Sequence, residues 1–246
     1  MSGEYVIAHL SDVHVGEKGF RKDKVQACIR EVNELSPNLV VVTGDLTSDG
    51  LVEEFRGARE FIDELEAKTV VVMGNHDAKN LGYLHFEEIF GGRMATYEDD
   101  RIYLVGVDST QPDVDEGHIG REFRRSLHDL ILDAPRNKVK VFVLHHHLVP
   151  VPMAGRERDI LVDAGDILMM LIKDGVKVVL CGHRHVSWVW SIEGMVIIHA
   201  GTVGSRRVRG MIGQNYSILR MADGKMSIGL KRIGEPEETL RALEID

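Results

Sequence analysis

The sequence predicts an α/β protein whose chain closes with an antiparallel sheet. Short apolar segments rich in β-branched residues alternate with segments of helical periodicity as far as about residue 181, which is the pattern of βαβ units. Most of these short segments are apolar at every position, as is typical of strands buried on both faces. Beyond Cys181 the elements read as strands joined by tight turns, which favours antiparallel pairing.

The individual elements follow from these patterns in chain order. The predicted strands of the α/β part are Tyr5–Leu10, Asn38–Val42, Thr69–Met73, Ile102–Val107, Lys140–Leu144 and Val176–Leu180. The predicted helices are Lys24–Leu35, Glu53–Leu65, Phe123–Leu132 and Ile160–Ile172. The predicted closing strands are Trp188–Ile192, Met195–His199, Tyr216–Met221 and Met226–Ile233, with turns at Glu193-Gly194 and at residues 222–225.

No repeat, linker or change of composition divides the chain, so we expect one domain over residues 1–246. Its α/β part would cover about residues 1–181 and its closing strands about residues 186–234. The acidic C-terminal tail, residues 235–246, is expected to form a short helix or to be frayed.

Composition excludes several classes of protein. With 43% hydrophobic and 28% charged residues, the chain has the composition of a soluble globular protein. Two cysteines cannot build a disulfide framework, and neither an export signal nor an apolar run long enough for a membrane span is present, so we expect a cytoplasmic location. The net charge of −9 argues against a nucleic-acid partner. The 12 histidines remain to be explained.

Polar residues cluster where five predicted strands end. The clusters are Ser11-Asp12-Val13-His14, Gly44-Asp45, Gly74-Asn75-His76-Asp77, His145-His146-His147 and Gly182-His183-Arg184-His185. Because the carboxyl ends of parallel strands meet at one edge of a sheet, we expect these side chains to share one site. Residues two apart in a strand point the same way, so Asp12 with His14, and His183 with His185, are candidate chelating pairs.

The donor atoms in these clusters define the kind of site. They are nitrogen and oxygen donors without thiolate, which suits a divalent Mn, Fe, Co, Ni or Zn ion. A ligand set of two Asp, one Asn and four His from these clusters gives seven donors, which are too many for one tetrahedral ion. Two ions roughly 3.5–4 Å apart that share a carboxylate are the usual alternative, and such pairs are used for phosphoryl transfer.

With the motifs SDVH (11–14), GDLTSDG (44–50), GNHD (74–77), LHHH (144–147) and GHRH (182–185) in this order, the sequence resembles the calcineurin-like metallophosphoesterases. Within that superfamily it is similar to the class III cyclic nucleotide phosphodiesterase-like branch, and the resemblance extends from residue 5 to about residue 200. It implies a four-layer α/β/β/α sandwich, in which two mixed β-sheets are flanked by helices.

The resemblance also implies roles for individual residues. It implies a first ion held by Asp12, His14 and His185, a second ion held by Asn75, His145 and His183, and Asp45 as the bridge between them. His76 would be the catalytic imidazole. In the protein-phosphatase branch an Asp-Arg-Gly string supplies the carboxylate that orients this histidine, whereas this chain has Ser48-Asp49-Gly50. Asp49 and Asp77 are therefore both candidates for that orienting role.

Other polar residues near the motifs are candidates for substrate contact. His146 and His147 would either line the substrate pocket or support the metal ligands. Arginines in the loops after His147 and His199 are suited to bidentate contact with a phosphate, and Arg156 and Arg206 are the candidates we name for it. His9 and His199 lie within strands and are expected to be core residues.

These observations together predict a dinuclear metal-dependent phosphoesterase acting on a small-molecule phosphate ester. The leading hypothesis is a phosphodiesterase that hydrolyses a nucleotide or small-molecule phosphodiester by attack of a metal-bound hydroxide. A nucleotide or lipid pyrophosphatase, or a phosphomonoesterase, on the same site is the alternative. A non-catalytic protein-interaction scaffold is a further alternative from a different class. The apolar loop at residues 148–156 leaves a homo-oligomer open.

Overall fold

A computed structural model describes residues 3–244 of the chain. The strands are β1 (Tyr5–Leu10), β2 (Leu39–Thr43), β3 (Thr69–Val72), β4 (Met94–Glu98), β5 (Ile102–Val107), β6 (Val139–Val143), β7 (Val178–Cys181), β8 (Trp188–Ile192), β9 (Met195–His199), β10 (Asn215–Ala222), β11 (Lys225–Arg232) and β12 (Glu237–Glu244). The helices are α1 (Lys22–Leu35), α2 (Val52–Asp63), α3 (Gly82–Phe90), α4 (Arg121–Leu132) and α5 (Ala164–Lys173), with a 3₁₀ turn at Lys79–Leu81.

The strands form two mixed sheets of six strands each. The first sheet has the order β12-β11-β10-β1-β2-β3, and the second has the order β4-β5-β6-β7-β9-β8. Strands β1, β2 and β3 are parallel to one another, as are β5, β6, β7 and β9, whereas the outer strands pair antiparallel. The expected α/β architecture of two mixed sheets flanked by helices is therefore confirmed.

Three apolar layers explain why the strands are apolar at every position. Alternate side chains of β1 and β2, such as Ile7 and Leu39, fill the layer between the two sheets. Their neighbours, such as Ala8 and Val40, pack instead against α1, α2 and α3 on the outer face of the first sheet. Helices α4 and α5 cover the second sheet in the same way. The central strands of each sheet thus bury both faces, and each fully buried aliphatic side chain contributes about 1.5–3 kcal/mol.

Most predicted elements match the structure to within two residues at each end, but the segment between β3 and β5 was not predicted. It contains α3 and β4, and β4 is an edge strand whose side chains alternate between exposed and half-buried. Helix α5 begins at Ala164, four residues after the predicted start at Ile160, because Asp163 instead accepts hydrogen bonds from the backbone N–H groups of Ile119 and Gly120.

The prediction for the acidic C-terminal segment was wrong. Residues 237–244 form β12, which pairs antiparallel with β11 and is neither a helix nor frayed. Leu243 packs against the layer between the sheets, so the segment gains both backbone hydrogen bonds and apolar burial. Residues 245 and 246 lie outside the described residues. Among residues 3–244, no helix combines the length and the apolar composition needed to cross a bilayer.

His9 and His199 are core residues, as expected. Both are fully buried. His9 Nε2 lies 3.0 Å from Thr43 Oγ1, and His199 Nδ1 lies 3.3 Å from Cys181 Sγ. Burial lowers the pKa of each imidazole to about 3, so both rings are neutral in the folded protein at neutral pH.

We predict that the protein loses stability as the pH falls below about 6.5, the pKa of an unperturbed histidine. Between that value and about 3, the unfolded chain binds protons at His9 and His199 that the folded chain does not. The stabilising effect is fully present above the unfolded pKa and decreases towards the folded pKa. Each histidine accounts for up to about 1.4 kcal/mol per pH unit.

Urea unfolding at about pH 8 and about pH 5.5 measures this dependence. The variant His199→Asn should show a smaller loss of unfolding free energy between the two pH values than the wild type. The partly exposed His85 provides the control, because His85→Asn should keep the wild-type loss. The same loss in the His199→Asn variant as in the wild type would contradict the prediction.

Candidate metal centre and its pocket

The carboxyl ends of strands from both sheets converge on one buried cluster of acids and histidines. Asp12 and His14 follow β1, Asp45 follows β2, Asn75 follows β3, His145 follows β6, and His183 and His185 follow β7. Backbone hydrogen bonds join the loops, since Asp12 N–H donates to Gly44 O and Gly182 N–H donates to His145 O. The two sheets are linked directly where His183 N–H donates to Asp12 Oδ2 over 3.1 Å.

Left-handed backbone turns aim the side chains into the cluster. The φ values of Asp12, His14, Asp45, His183 and His185 lie between +52° and +70°. Such values are uncommon outside glycine and cost roughly 1–2 kcal/mol per residue. The strand-like alternation expected at these positions is therefore absent. As a result, His183 and His185, the second candidate chelating pair, belong to different donor groups.

The first donor group contains Asp12, His14, Asp45 and His185. All four side chains are buried, and their donor atoms lie within 4.8 Å of one another. His14 Nε2 is 3.0 Å from His185 Nε2 and 3.6 Å from Asp45 Oδ2. Asp12 Oδ1 lies 3.1 Å from His185 Nε2 but accepts no hydrogen bond. A buried carboxylate oxygen in this situation is available to bind a cation.

The second donor group contains Asp45, His145 and His183, with the Asn75 amide beside them. Asn75 Oδ1 lies 3.0 Å from His145 Nε2 and 3.0 Å from His183 Nδ1. His145 Nε2 is 3.4 Å from Asp45 Oδ1. Asp45 therefore presents Oδ2 to the first group and Oδ1 to the second, which is the arrangement of a carboxylate that bridges two ions.

Hydrogen bonds on the far side of two rings fix which nitrogen faces the cluster. His145 Nδ1 donates to the Thr43 carbonyl over 2.6 Å, and His185 Nδ1 donates to the Arg207 carbonyl over 2.7 Å. A carbonyl oxygen only accepts, so Nδ1 carries the proton in both rings. In the neutral ring Nε2 then has a free lone pair directed at the cluster, as a metal ligand requires.

The charge states of the cluster also suit a cation. Burial lowers the pKa of His14 and His183, which keeps both rings in the neutral form that binds metals. Burial alone would raise the pKa of Asp45, but His145 and His76 hold it well below its usual range. Burial likewise opposes protonation of His145, yet the Asp45 carboxylate raises its pKa to about 9. A metal ion bound here would therefore displace the His145 proton.

His76 lies at the edge of the cluster, where its backbone N–H and its ring each make a hydrogen bond. Its N–H donates to Asp45 Oδ1 over 2.9 Å, and its ring stands edge-on to the His14 ring with centroids 4.8 Å apart. Its Nδ1 donates to the Ser48 carbonyl over 2.5 Å, with Lys79 Nζ 3.0 Å from the same nitrogen. Nε2 is thus the nitrogen left for chemistry in the pocket.

Neither candidate carboxylate orients the His76 ring. The Asp49 side chain is exposed and contacts no described partner by hydrogen bond or ion pair. Asp77 is buried and accepts hydrogen bonds from the backbone N–H groups of Leu46, Thr47 and Gly74 and from the Thr47 hydroxyl. Asp77 therefore ties the loop that carries Asp45 to the loop that carries Asn75. The orienting acceptor for His76 is the Ser48 carbonyl.

His146 and His147 are buried behind the cluster and do not line the pocket. His146 Nδ1 is 2.8 Å from Ser109 Oγ, and His146 Nε2 is 3.1 Å from the Asp115 carbonyl. His147 Nε2 is 2.6 Å from Glu157 Oε1, and its ring stacks on the His183 ring with centroids 5.6 Å apart. Burial lowers the pKa of His146 to about 3 and that of His147 to about 4. Both rings support the histidines that face the cluster.

A pocket of about 120 Å³ opens over the cluster, and its arginines differ from the two named from sequence. The arginines that line it are Arg158, Arg184, Arg207 and Arg209. Arg156 does not line the pocket, and its carbonyl accepts a hydrogen bond from Arg184. The Arg206 side chain packs over Gly19 instead. The correct loops were identified, but sequence does not show which way adjacent side chains of an irregular loop point.

Sequence reasoning missed Asp115, which also lines the pocket. Asn75 Nδ2 donates to Asp115 Oδ1 over 3.0 Å, so the other end of the amide, Oδ1, faces His145 and His183. Asp115 lies in an acidic loop between β5 and α4 that carries no recognisable motif, and no signal in the sequence distinguishes it from its neighbours.

The two-sheet fold and the buried cluster of acids and histidines are those expected of a metal-dependent phosphoesterase, and comparison with known proteins supports that class. The family model described as calcineurin-like phosphoesterase matches residues 5–187, so the chain belongs to that family. The predicted family is thereby confirmed, and the chain is a phosphoric ester hydrolase with a buried cluster suited to metal ions.

Two relatives with assigned names and one solved structure are similar to this chain. A probable cyclic nucleotide phosphodiesterase of Xenorhabdus bovienii is 28% identical over 205 residues, covering 77% of this chain and 82% of the relative. A probable glycerophosphodiester phosphodiesterase of Arcobacter nitrofigilis is 30% identical over 203 residues, covering 73% and 71%. A dimetal phosphatase from Danio rerio is 12% identical with a TM-score of 0.74, covering 96% of this chain and 98% of that one, and supports the fold.

We predict that Asp77→Asn lowers the free energy of unfolding by about 1–3 kcal/mol, because the new amide N–H₂ faces buried N–H donors. Turnover should also decrease, since the two loops that Asp77 joins carry Asp45 and Asn75. Asp49→Asn is the matched control, because its exposed carboxylate accepts no hydrogen bond from residues 3–244. Chemical unfolding and steady-state kinetics of both variants give the comparison. Equal effects of the two substitutions would show that Asp77 has no special role.

Proposed function

We propose that this protein hydrolyses a phosphodiester with the help of two divalent metal ions. The observation that carries the proposal is the position of Asp45, whose two oxygens face two separate donor groups. In this proposal Asp12, His14 and His185 hold one ion and Asn75, His145 and His183 hold the other. The residues fit such ions because the donors are nitrogen and oxygen atoms, the neutral His185 ring has an Nε2 lone pair facing the cluster, and Asp12 Oδ1 has no hydrogen-bond donor.

The chain's own residues bind the substrate and move the proton. When bound, the two ions would neutralise phosphoryl charge and lower the pKa of a water molecule. In its protonated form the His76 ring, fixed by the Ser48 carbonyl at Nδ1, carries a second proton on Nε2, which is placed to pass to the leaving oxygen or to donate a hydrogen bond to the phosphoryl group. Arg158 and Arg207 line the pocket and form ion pairs with Asp159 and Glu17, and the remaining N–H groups of their guanidinium groups suit contact with phosphoryl oxygens.

The preference for a diester rests on the relatives. Those named above are called phosphodiesterases for cyclic nucleotides and for glycerophosphodiesters. We therefore propose that the substrate of this chain is also a phosphodiester, either a nucleotide or another small molecule. The pocket, at about 120 Å³, accommodates the phosphate and the atoms next to it, so the rest of such a substrate would extend outside.

A pyrophosphatase or phosphomonoesterase on the same site is the alternative. Four arginines line the pocket, but Asp45, Asp115 and Asp159 line it too, so the charge of the lining does not separate a diester from a more highly charged phosphate. The non-catalytic scaffold is disfavoured, because both donor groups are intact and His76 stands beside them. The metal identity among Mn, Fe, Zn, Co and Ni, the cytoplasmic location, a homo-oligomer and the absence of a nucleic-acid partner stay predictions.

The decisive experiment measures hydrolytic activity for each combination of metal ion and substrate. Chelator-treated protein is reconstituted with each candidate metal and assayed on a cyclic nucleotide, a simple diester, a monoester and a pyrophosphate. We expect no activity after chelation, recovery with a divalent ion, and the highest kcat/KM on a diester. Activity that survives complete metal removal would contradict the metal mechanism, and cleavage of monoester or pyrophosphate without diester would contradict the proposed substrate class.

We predict that His76→Ala lowers kcat by about 10²–10⁴-fold while the protein still binds two metal ions, because His76 contributes a proton and no metal contact. Metal content by elemental analysis accompanies the kinetic measurement. His85→Ala is the control, since it removes a partly exposed histidine on α3, and it should retain wild-type kcat. Wild-type turnover in the His76→Ala variant would remove His76 from the mechanism.

A further inference from the structure

A second, strongly basic cavity lies at the opposite end of the two sheets from the metal centre. It has a volume of about 330 Å³ and lies between the amino ends of β5, β6 and β7 and the hairpin that joins β10 to β11. Because the metal donors follow the carboxyl ends of β6 and β7, the length of those strands separates the two sites. We call this cavity the distal basic cavity.

Positive charge is concentrated in the distal basic cavity. Six of its 13 lining residues are Lys or Arg, against 30 of 246 in the whole chain, and one acid, Asp223, lines it. The six are Arg101, Arg136, Lys138, Lys140, Lys177 and Lys225. Like charges at this density repel one another, and a bound anion relieves that repulsion. The concentration is notable in a chain whose net charge is −9.

Three of these cations are held in place by the fold. Arg101 donates to the Gly3 carbonyl over 2.7 Å, and Lys140 Nζ donates to the Asp174 carbonyl over 2.9 Å. Lys138 forms an ion pair with Glu98, and its side chain is only 13% exposed. The contact of Lys140 uses a neutral carbonyl group, so it positions that charge without cancelling it.

The other three cations have no partner in the described part of the chain. The side chains of Arg136, Lys177 and Lys225 make no hydrogen bond and no ion pair with residues 3–244. They come from three separate segments, before β6, before β7 and at the start of β11, and they converge on one concave space. Unpaired cations from separate segments that face a common cavity can contact several oxygens of one anion at once.

Apolar side chains form the rest of the lining. Val139, Met221 and Ala222 contribute to the wall between the cations. The cavity therefore offers an apolar surface beside a group of positive charges, and its volume is in the range of small-ligand sites. Phosphate groups next to a planar ring system have the complementary chemistry. A concave space of this volume also suits a compact ligand better than a continuous nucleic-acid strand.

We propose that the distal basic cavity binds a small, multiply charged phosphate compound, of the class of nucleoside polyphosphates. The proposal is independent of the proposed function, because none of its residues belongs to the metal centre or to the pocket above it. The phosphates contact the free cations Arg136, Lys177 and Lys225, and the base lies on the apolar wall.

Calorimetric titration of the metal-loaded protein with adenosine 5′-(β,γ-methylene)triphosphate tests the proposal. The double variant Lys177→Ala/Lys225→Ala should weaken one binding event by about tenfold or more. The matched control Arg30→Ala/Arg56→Ala removes the same charge from exposed positions on α1 and α2 and should bind within twofold of the wild type. Both double variants should keep the wild-type rate of diester hydrolysis and the wild-type melting temperature.

Two competition experiments define the ligand class. Inorganic tripolyphosphate should displace the nucleotide analogue, which locates the phosphate contacts, and should bind more weakly than the analogue because it lacks the ring system. Equal affinity of the analogue for the wild type and the Lys177→Ala/Lys225→Ala variant would overturn the proposal. So would an equal loss in both double variants, which indicates bulk charge only. A short single-stranded oligonucleotide that binds more tightly than the analogue would also overturn it, because the cavity would then belong to a nucleic-acid surface.

Discussion

The structure of the metal centre depends on one shared carboxylate. Asp45 must present one oxygen to each of two donor groups, so the loops after β2 and β3 must approach each other closely. Gly74 allows this approach, since a Cβ there would lie 2.2 Å from Asp45 Oδ1. Asp77 then fixes the spacing by accepting hydrogen bonds from both loops. The left-handed backbone at Asp45 is part of the same requirement, and its conformational cost is offset by these contacts and by apolar packing elsewhere.

The two-sheet architecture supplies the second half of the centre. Neither sheet alone holds both donor groups, because the first contributes Asp12, His14, Asp45 and Asn75 and the second contributes His145, His183 and His185. The apolar layer between the sheets therefore sets the distance between the donors. At the open edge of that layer, a Cβ on Gly182 would lie 1.9 Å from Ser11 Oγ, so only glycine leaves room here for the side chains that follow β1. Close packing of apolar side chains between the two sheets holds the donor atoms of both sheets at fixed distances from one another.

Sequence predicts the parts of this structure that depend on periodicity and on short motifs. The apolar strands and the polar groups at their ends were identified, and with them every residue of the two donor groups. The grouping of His183 with His185 by alternation was wrong because both adopt left-handed conformations that alternation does not describe. Ser48 was missed as the partner of His76 because a backbone carbonyl has no signature in sequence. Strand β12 was missed because its pairing with β11 is a tertiary contact, and its charged side chains are solvent-facing.

The distribution of charge explains how an acidic protein can act on an anion. At physiological ionic strength, charges are screened beyond about 8–10 Å, so an approaching phosphate responds to nearby groups and only weakly to the net charge of −9. Near the metal centre those groups are four arginines together with Asp115 and Asp159, and the ions expected beneath them would add positive charge. The acids Asp12 and Asp45 are buried, where metal ions would neutralise them, so they do not repel the substrate. An acidic outer surface is therefore compatible with a pocket in which arginines and bound metal ions would attract a phosphate.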